Sequence, residues 1–354
     1  MVFTKHPFFS KNCVRAQCYY KEEINVSRIV TLCTCQWADM EFEETCKLAN
    51  SMGYDGLEIA CWGNHIDLDK AVESDEYVEW ILDTLKKHSL VCKALATHII
   101  GQCVGDAPDK RLNNFAPSNL ADKPEEIRKW GIEQMKKAAI VANKMGVKVI
   151  TGFTGSSIWR YLYSFPQTTE DMIEEGFNEI VSLWTPILEV FKENDVVFAL
   201  EVHPGEIAFD YYSTQRLLEK FKDNPTFGLN FDPSHLIWQG IKPHIFLYDF
   251  RDRVYHVHMK DAAVTLDGRS GLLGSHIDFG DLRRGWNFRS LGHGDVDFEE
   301  IIRVLNAMGY NGPLSVEWED SGMDRVHGAT EACKFVKDVD FAPSNVKFDD
   351  SISN

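Results

Sequence analysis

The chain has 354 residues, 44% of them hydrophobic, and 37 Lys and Arg stand against 54 Asp and Glu for a formal net charge of −17. That length and apolar content support one large core, while the acidic balance argues against a surface built to follow a nucleic-acid backbone. No run approaches membrane-spanning length, the opening Met1-Val2-Phe3-Thr4-Lys5-His6 shows no apolar leader, and the nine cysteines include no CxxC pair. A soluble, cytoplasmic protein in reducing surroundings, with neither nucleic-acid nor membrane partner, is expected.

In chain order, short β-branched runs alternate with amphipathic helical patterns. Strands are predicted over 29–35, 56–60, 91–97, 147–153, 196–202, 226–231, 254–259 and 313–318. Helices are predicted near 43–52, 75–87, 124–144, 171–193, 213–221, 245–250, 298–308 and 328–337, with Ser213 and Asp297 among the starting residues. Gly53, Gly146 and Gly309 each stop a helix just before a strand. Eight such units predict an α/β fold, a closed (β/α)8 barrel filling 1–354 as a single domain. Residues 1–27 read as an N-terminal extension and 341–354 as a C-terminal tail, both available for assembly. An open doubly wound sheet is the alternative, but no Gly-rich phosphate fingerprint follows an early strand. Long βα loops are expected after strands 3 and 7, on the face where barrel active sites form.

Four consecutive strands then end in chemically able residues: Glu201-Val202-His203-Pro204, Asp232-Pro233-Ser234-His235, His256-Val257-His258-Met259-Lys260-Asp261 and Val316-Glu317-Trp318-Glu319-Asp320. Acids converging on one mouth need compensating charge, and a divalent cation is the simplest source. Glu201, Asp232, His258 and Glu317 form an oxygen-rich set with one imidazole. It suits manganese first, with magnesium or zinc also accommodated; a plain polar cluster is the alternative. Period two puts His256 and His258 on one face, with His258 nearer the mouth and His256 a deeper, supporting imidazole. His203 shares a side with Glu201 and reads equally as a base or as an orienter of a carboxylate.

Further mouth candidates are His98 with Gln102 close behind, Glu58 on the second strand, and His235 aimed at a substrate hydroxyl. Lys260 and Asp261 read as a salt-linked pair, and Lys260 as a substrate contact. Arg269, His276 and Trp286 lie in the glycine-rich segment after strand 7 and suit sugar hydroxyls or a partner surface. Residues 152–159 offer backbone amides and Trp159, which could stack on a pyranose. Cys33-Thr34-Cys35 reads as core thiols on a strand rather than as metal ligands.

With these motifs the chain resembles the sugar phosphate isomerase/epimerase superfamily, the xylose isomerase-like TIM barrels, over nearly its whole length. The resemblance implies that Glu201, Asp232, His258 and Glu317 bind one divalent metal. Within the superfamily it is similar to the large (α) subunit of bacterial C-glycoside deglycosidases. That similarity implies manganese, a 3-oxo-glucoside substrate, a small β subunit in a hetero-oligomer, and His203 as the base. The implied reaction is a lyase reaction: deprotonation at C2, then β-elimination of the aglycone. Glu201 and Glu317 as paired acid and base groups of a keto-sugar isomerase or epimerase form the first rival, and cleavage of a 3-oxo-O-glucoside is a close variant. A multi-metal endonuclease is disfavoured by the charge, and a non-catalytic sugar sensor would keep the ligands without turnover.

Overall fold

A computed structural model describes residues 27–346, together with 349 and 352. All eight expected strands form: β1 (Val30–Cys33), β2 (Gly56–Ala60), β3 (Val91–Ala96), β4 (Val149–Gly152), β5 (Val197–Glu201), β6 (Phe227–Phe231), β7 (Val254–Met259) and, after a two-stranded insertion, β10 (Leu314–Val316). Every neighbouring pair is parallel, and β1 closes onto β10 to complete the barrel. The helices are α1 (Phe42–Ser51), α2 (Leu68–Glu73), α3 (Asp75–Lys87), α4 (His98–Gly105), α5 (Pro124–Met145), α6 (Glu170–Glu193), α7 (Tyr211–Lys220), α8 (Ser234–Ile237), α9 (Pro243–Asp249), α10 (Phe298–Met308) and α11 (Arg325–Val339). No helix among the described residues is long and apolar enough to cross a membrane. The extension expected over 1–27 lies outside the described residues except for Ser27, and the tail expected over 341–354 is described only in part.

Local chemistry explains the boundaries. Gly146 and Gly309 end α5 and α10 at φ of 72° and 69°, the left-handed cap that a β-carbon would strain. The start of α7 differs from the sequence expectation. Asp210 is the N-cap, and Ser213, expected as the first residue, is the reciprocal partner of a capping box.

The long connection after β3 is also more ordered than expected. It begins as α4, then turns through two short 3-10 segments, Lys110–Asn114 and Ser118–Leu120. A β-carbon on Gly101 would lie 2.0 Å from the Phe153 carbonyl oxygen, so α4 packs against the end of β4 only because that residue is glycine. After β7, the expected loop carries an antiparallel ribbon of β8 (Asp261–Val264) and β9 (Trp286–Arg289), paired Asp261 to Arg289 through Val264 to Trp286. The Asp261 carboxylate clamps the returning chain by accepting N–H bonds from Ala262, Gly292, Gly294 and Val296.

Outside the barrel wall, Trp184 of α6 stacks on Phe198 of β5 at 4.4 Å, and Phe221 stacks on Phe227 of β6 at 4.3 Å. Full burial of each such ring stabilises by roughly 2–3 kcal/mol. Ala94, Val149, Val197 and Ala199 form a separate apolar cluster. On β4, β5, β6, β7 and β10, other buried residues are polar: Thr151, Glu201, Asn230, His256, His258 and Ser315. The barrel thus presents a packed floor and a polar upper layer.

Candidate metal centre

The four strand-end residues meet. One donor atom from each of Glu201, Asp232, His258 and Glu317 lies within 4.8 Å of the other three, and all four residues are buried. His258 Nδ1 stands 3.2 Å from Glu201 Oε2, 3.0 Å from Glu317 Oε2 and 3.8 Å from Asp232 Oδ2. Three of the inward atoms, Asp232 Oδ2, His258 Nδ1 and Glu317 Oε2, are buried without a hydrogen-bond partner. Buried polar atoms in folded proteins almost always have partners. Donors facing one another without hydrogen bonds, in an oxygen-rich set with one imidazole and with Lys260 paired to Glu317 Oε2, fit a divalent cation.

Each donor is held from behind. Asp232 Oδ1 accepts from the N–H and hydroxyl of Ser234, leaving Oδ2 toward the centre. His98 Nε2 and His235 Nε2 bond the two oxygens of Glu201, each at 2.9 Å. Lys260 Nζ lies 3.1 Å from Glu317 and 2.8 Å from Glu319, with its charge 4.3 Å above the Phe288 ring. The expected Lys260–Asp261 pair does not form, because period-two geometry sends the two side chains to opposite sides of the chain. Lys260 serves the acids, while Asp261 clamps backbone amides.

Glu58 is placed differently from the sequence expectation. It lies beneath the mouth, fully buried, where His256 Nε2 at 2.9 Å, His258 Nε2 at 3.0 Å, Ser315 Oγ at 2.6 Å and Thr151 Oγ1 all reach it. An imidazole bonded to a carboxylate through Nε2 presents Nδ1 to the centre, the arrangement that orients a metal-ligating histidine. His256 is the deeper, supporting imidazole the sequence suggested. Glu58 carried a signal: a lone acid between Leu57 and Ile59 in a buried strand has to face other polar groups.

The charges are coupled. Burial alone would raise the Glu201 carboxyl, but the His258 charge and hydrogen bonds from His235, His258 and His98 hold it well below the carboxylate range. Burial would lower His258, yet Glu58, Glu317 and Glu201 raise it well above the ordinary imidazole value. The centre recruits positive charge. His203 is the opposite case: burial, then the neighbouring His235, pushes it well below its ordinary value. Its ring packs 4.2 Å from His235 and 4.8 Å from Phe153.

Of the other expected contacts, His98 and His235 join the centre through Glu201. Trp159 packs edge-on to Phe209. Arg269 pairs with Asp267 on the exposed insertion, and His276 is exposed on the same segment; neither is hydrogen-bonded or ion-paired to the four donors. Trp286 stacks on Trp238 at 4.6 Å, and Gln102 bonds Asp106. The amides of Thr154 and Gly155, expected to face a ligand, are used internally by Glu206 at 2.8 and 2.6 Å.

Glu206 drew no attention in the sequence. Burial pushes its carboxyl up to about 8, against the Thr154 and Gly155 hydrogen bonds, and its Oε1 has no partner. A carboxyl whose folded value exceeds its unfolded value of 4.5 binds the proton more tightly when folded, so stability falls as pH rises from 4.5 toward 8. The slope approaches about 1.4 kcal/mol per pH unit. Glu206→Gln is expected to flatten this segment of the stability profile, measured by urea unfolding across that window. An unchanged profile would show that Glu206 is ionised in the fold.

The xylose isomerase-like TIM barrel family model matches residues 46–339. The chain belongs to that family. Inosose dehydratase of Clostridium perfringens is 29% identical over 237 residues, covering 62% of this chain and 73% of that protein. The solved structure of 3-keto-D-glucoside 4-epimerase, YcjR, from E. coli superposes with a TM-score of 0.62 at 16% identity, over 88% of this chain and 99% of that one. The IOLI protein, whose structure holds a zinc atom, gives 0.60 at 16% identity, over 88% and 98%. The two solved structures share the barrel fold.

Proposed function

We propose that this xylose isomerase-like barrel is a divalent-metal-dependent lyase that removes the C2 proton of a 3-oxo-glucoside and eliminates the C1 substituent, with C-glycosides the favoured substrates. The observation that carries the reading is the convergence of four buried donors: Asp232 Oδ2 and His258 Nδ1 without a hydrogen bond, Glu317 Oε2 paired with Lys260, and Glu201 beside them. His203 follows two residues along the chain from Glu201. A dehydration or an epimerisation next to a ketone can begin with loss of an α-proton, the first step proposed here.

Glu201, Asp232, His258 and Glu317 would hold the cation, manganese by the oxygen-rich donor set. When bound it supplies Lewis acidity to a neighbouring carbonyl oxygen. The chain's own residues do the rest. His203, kept neutral by burial and by His235, accepts the C2 proton. The C2–H electron pair becomes the C1–C2 double bond, and the C1–aglycone pair leaves with the aglycone, which takes up a proton. His98 and His235 hold both oxygens of Glu201, and Lys260 holds Glu317, so neither carboxylate drifts as charge moves.

The test is product analysis by mass spectrometry with 3-oxo-C-glucosides and 3-oxo-O-glucosides, with manganese or chelator, alone and with a candidate small subunit. Metal-dependent release of aglycone is expected, and the two substrates separate C–C from C–O cleavage. No release, together with epimerisation of a free keto-sugar, would replace the lyase by the isomerase reading, in which Glu201 and Glu317 serve as the paired acid and base.

A further inference from the structure

Glu317 leaves β10, which pairs with β7 on one side and with β1 on the other. His258 comes from the β7 side. From the β1 side come two thiols. Cys33 ends β1, and Cys35 opens the 3-10 turn Cys35–Trp37. Their Sγ atoms are 3.0 Å apart, and Cys35 Sγ lies 4.0 Å from His98 Nδ1. A donor oxygen of Glu317 stands within 4.8 Å of both sulfurs.

A pair of core thiols would be enclosed by apolar side chains. Cys33 is fully buried, but Cys35 is only half-buried, outside the strand, and faces an imidazole and a carboxylate. Two sulfurs and one carboxylate oxygen make a sulfur-rich, three-donor set of the kind that can hold zinc, unlike the oxygen-rich set next to it, and the His98 ring stands 4.0 Å from Cys35. We propose that Cys33, Cys35 and Glu317 form a second cation site, selective for thiophilic divalent ions. Two sulfurs on one tetrahedral zinc stand about 3.8 Å apart for Zn–S bonds of about 2.3 Å, so the sulfurs need to part by less than about 1 Å. Half-exposed Cys35 provides the route of entry. The site goes beyond the proposed reaction and stands whether or not that reaction is correct.

The probe is Cd2+ titrated into the metal-stripped, reduced full-length protein, following bound equivalents and the ultraviolet thiolate-to-cadmium absorption. Wild type is expected to take two equivalents and to develop the absorption. Cys33→Ser/Cys35→Ser is expected to lose the absorption and one equivalent. Asp232→Ala is expected to lose one equivalent and keep the absorption, which separates this site from the oxygen-rich centre. Cys35→Ser alone, at the half-exposed position, is expected to weaken the absorbing site at least tenfold and serves if the double variant does not fold. No absorption in wild type, absorption undiminished in the cysteine variants, or a persistent Cys33–Cys35 disulfide under reductant would overturn the proposal.

Discussion

Replacing His203 by alanine is expected to lower kcat on a 3-oxo-glucoside by about 10²–10⁴-fold, the usual contribution of a positioned general base, and to leave divalent-cation affinity unchanged. The split between the two readouts is the point. Among the described residues, no hydrogen bond to the His203 ring is formed, and its contacts are the faces and edges of His235 and Phe153. Removing it takes away neither a donor of the centre nor a support for one. Steady-state kinetics paired with calorimetric titration of Mn2+ checks this. A parallel loss of cation affinity would make His203 an orienter of Glu201, the other role its position just past β5 allows.

Glu58→Ala should act in the opposite way, on the cation first. The carboxylate is fully buried and takes hydrogen bonds from His256, His258, Ser315 and Thr151. Without it, Nε2 of His258 loses the partner that turns Nδ1 toward Asp232 and Glu317. Outer partners of metal-ligating histidines typically contribute 10–100-fold in metal affinity, and that loss is expected here. Stability should fall as well, by about 3–5 kcal/mol, because breaking a buried charge network strands its other members. Glu58→Gln keeps the shape and part of the bonding, so its losses should be smaller on both scales. Calorimetric Mn2+ titration and urea unfolding of the two variants test the ordering. Unchanged cation affinity in Glu58→Ala would mean that the barrel wall alone orients His258.

The two experiments probe different levels of one construction. Glu201, Asp232, His258 and Glu317 come from β5, the turn after β6, β7 and the exit of β10, and the barrel brings them to one place. Behind them, His98, His235, Lys260 and Glu58 fix where each donor points. His203 stands outside this frame, and in the proposed reaction it moves the proton.

Much of this was legible from residue order alone. Eight apolar runs separated by amphipathic helices give a closed barrel, and acids or imidazoles at four successive strand exits share one end because parallel strands all exit at that end. Periodicity also placed His256 below His258 and Glu201 beside His203. Those features depend on spacing within a strand, which the chain carries locally. Partners brought together across the barrel were decided by tertiary structure. Glu58 meets His258 across 200 positions of sequence, Lys260 turns to Glu317 rather than to adjacent Asp261, and Glu206 captures the amides of Thr154 and Gly155. Cys33 and Cys35 read as core thiols in sequence, and only barrel closure sets them beside Glu317 and His98. The residue pattern determines which side chains reach the upper layer. Closure, register and burial decide which of them meet, because a buried charge must find its partner in space, wherever that partner lies in the chain.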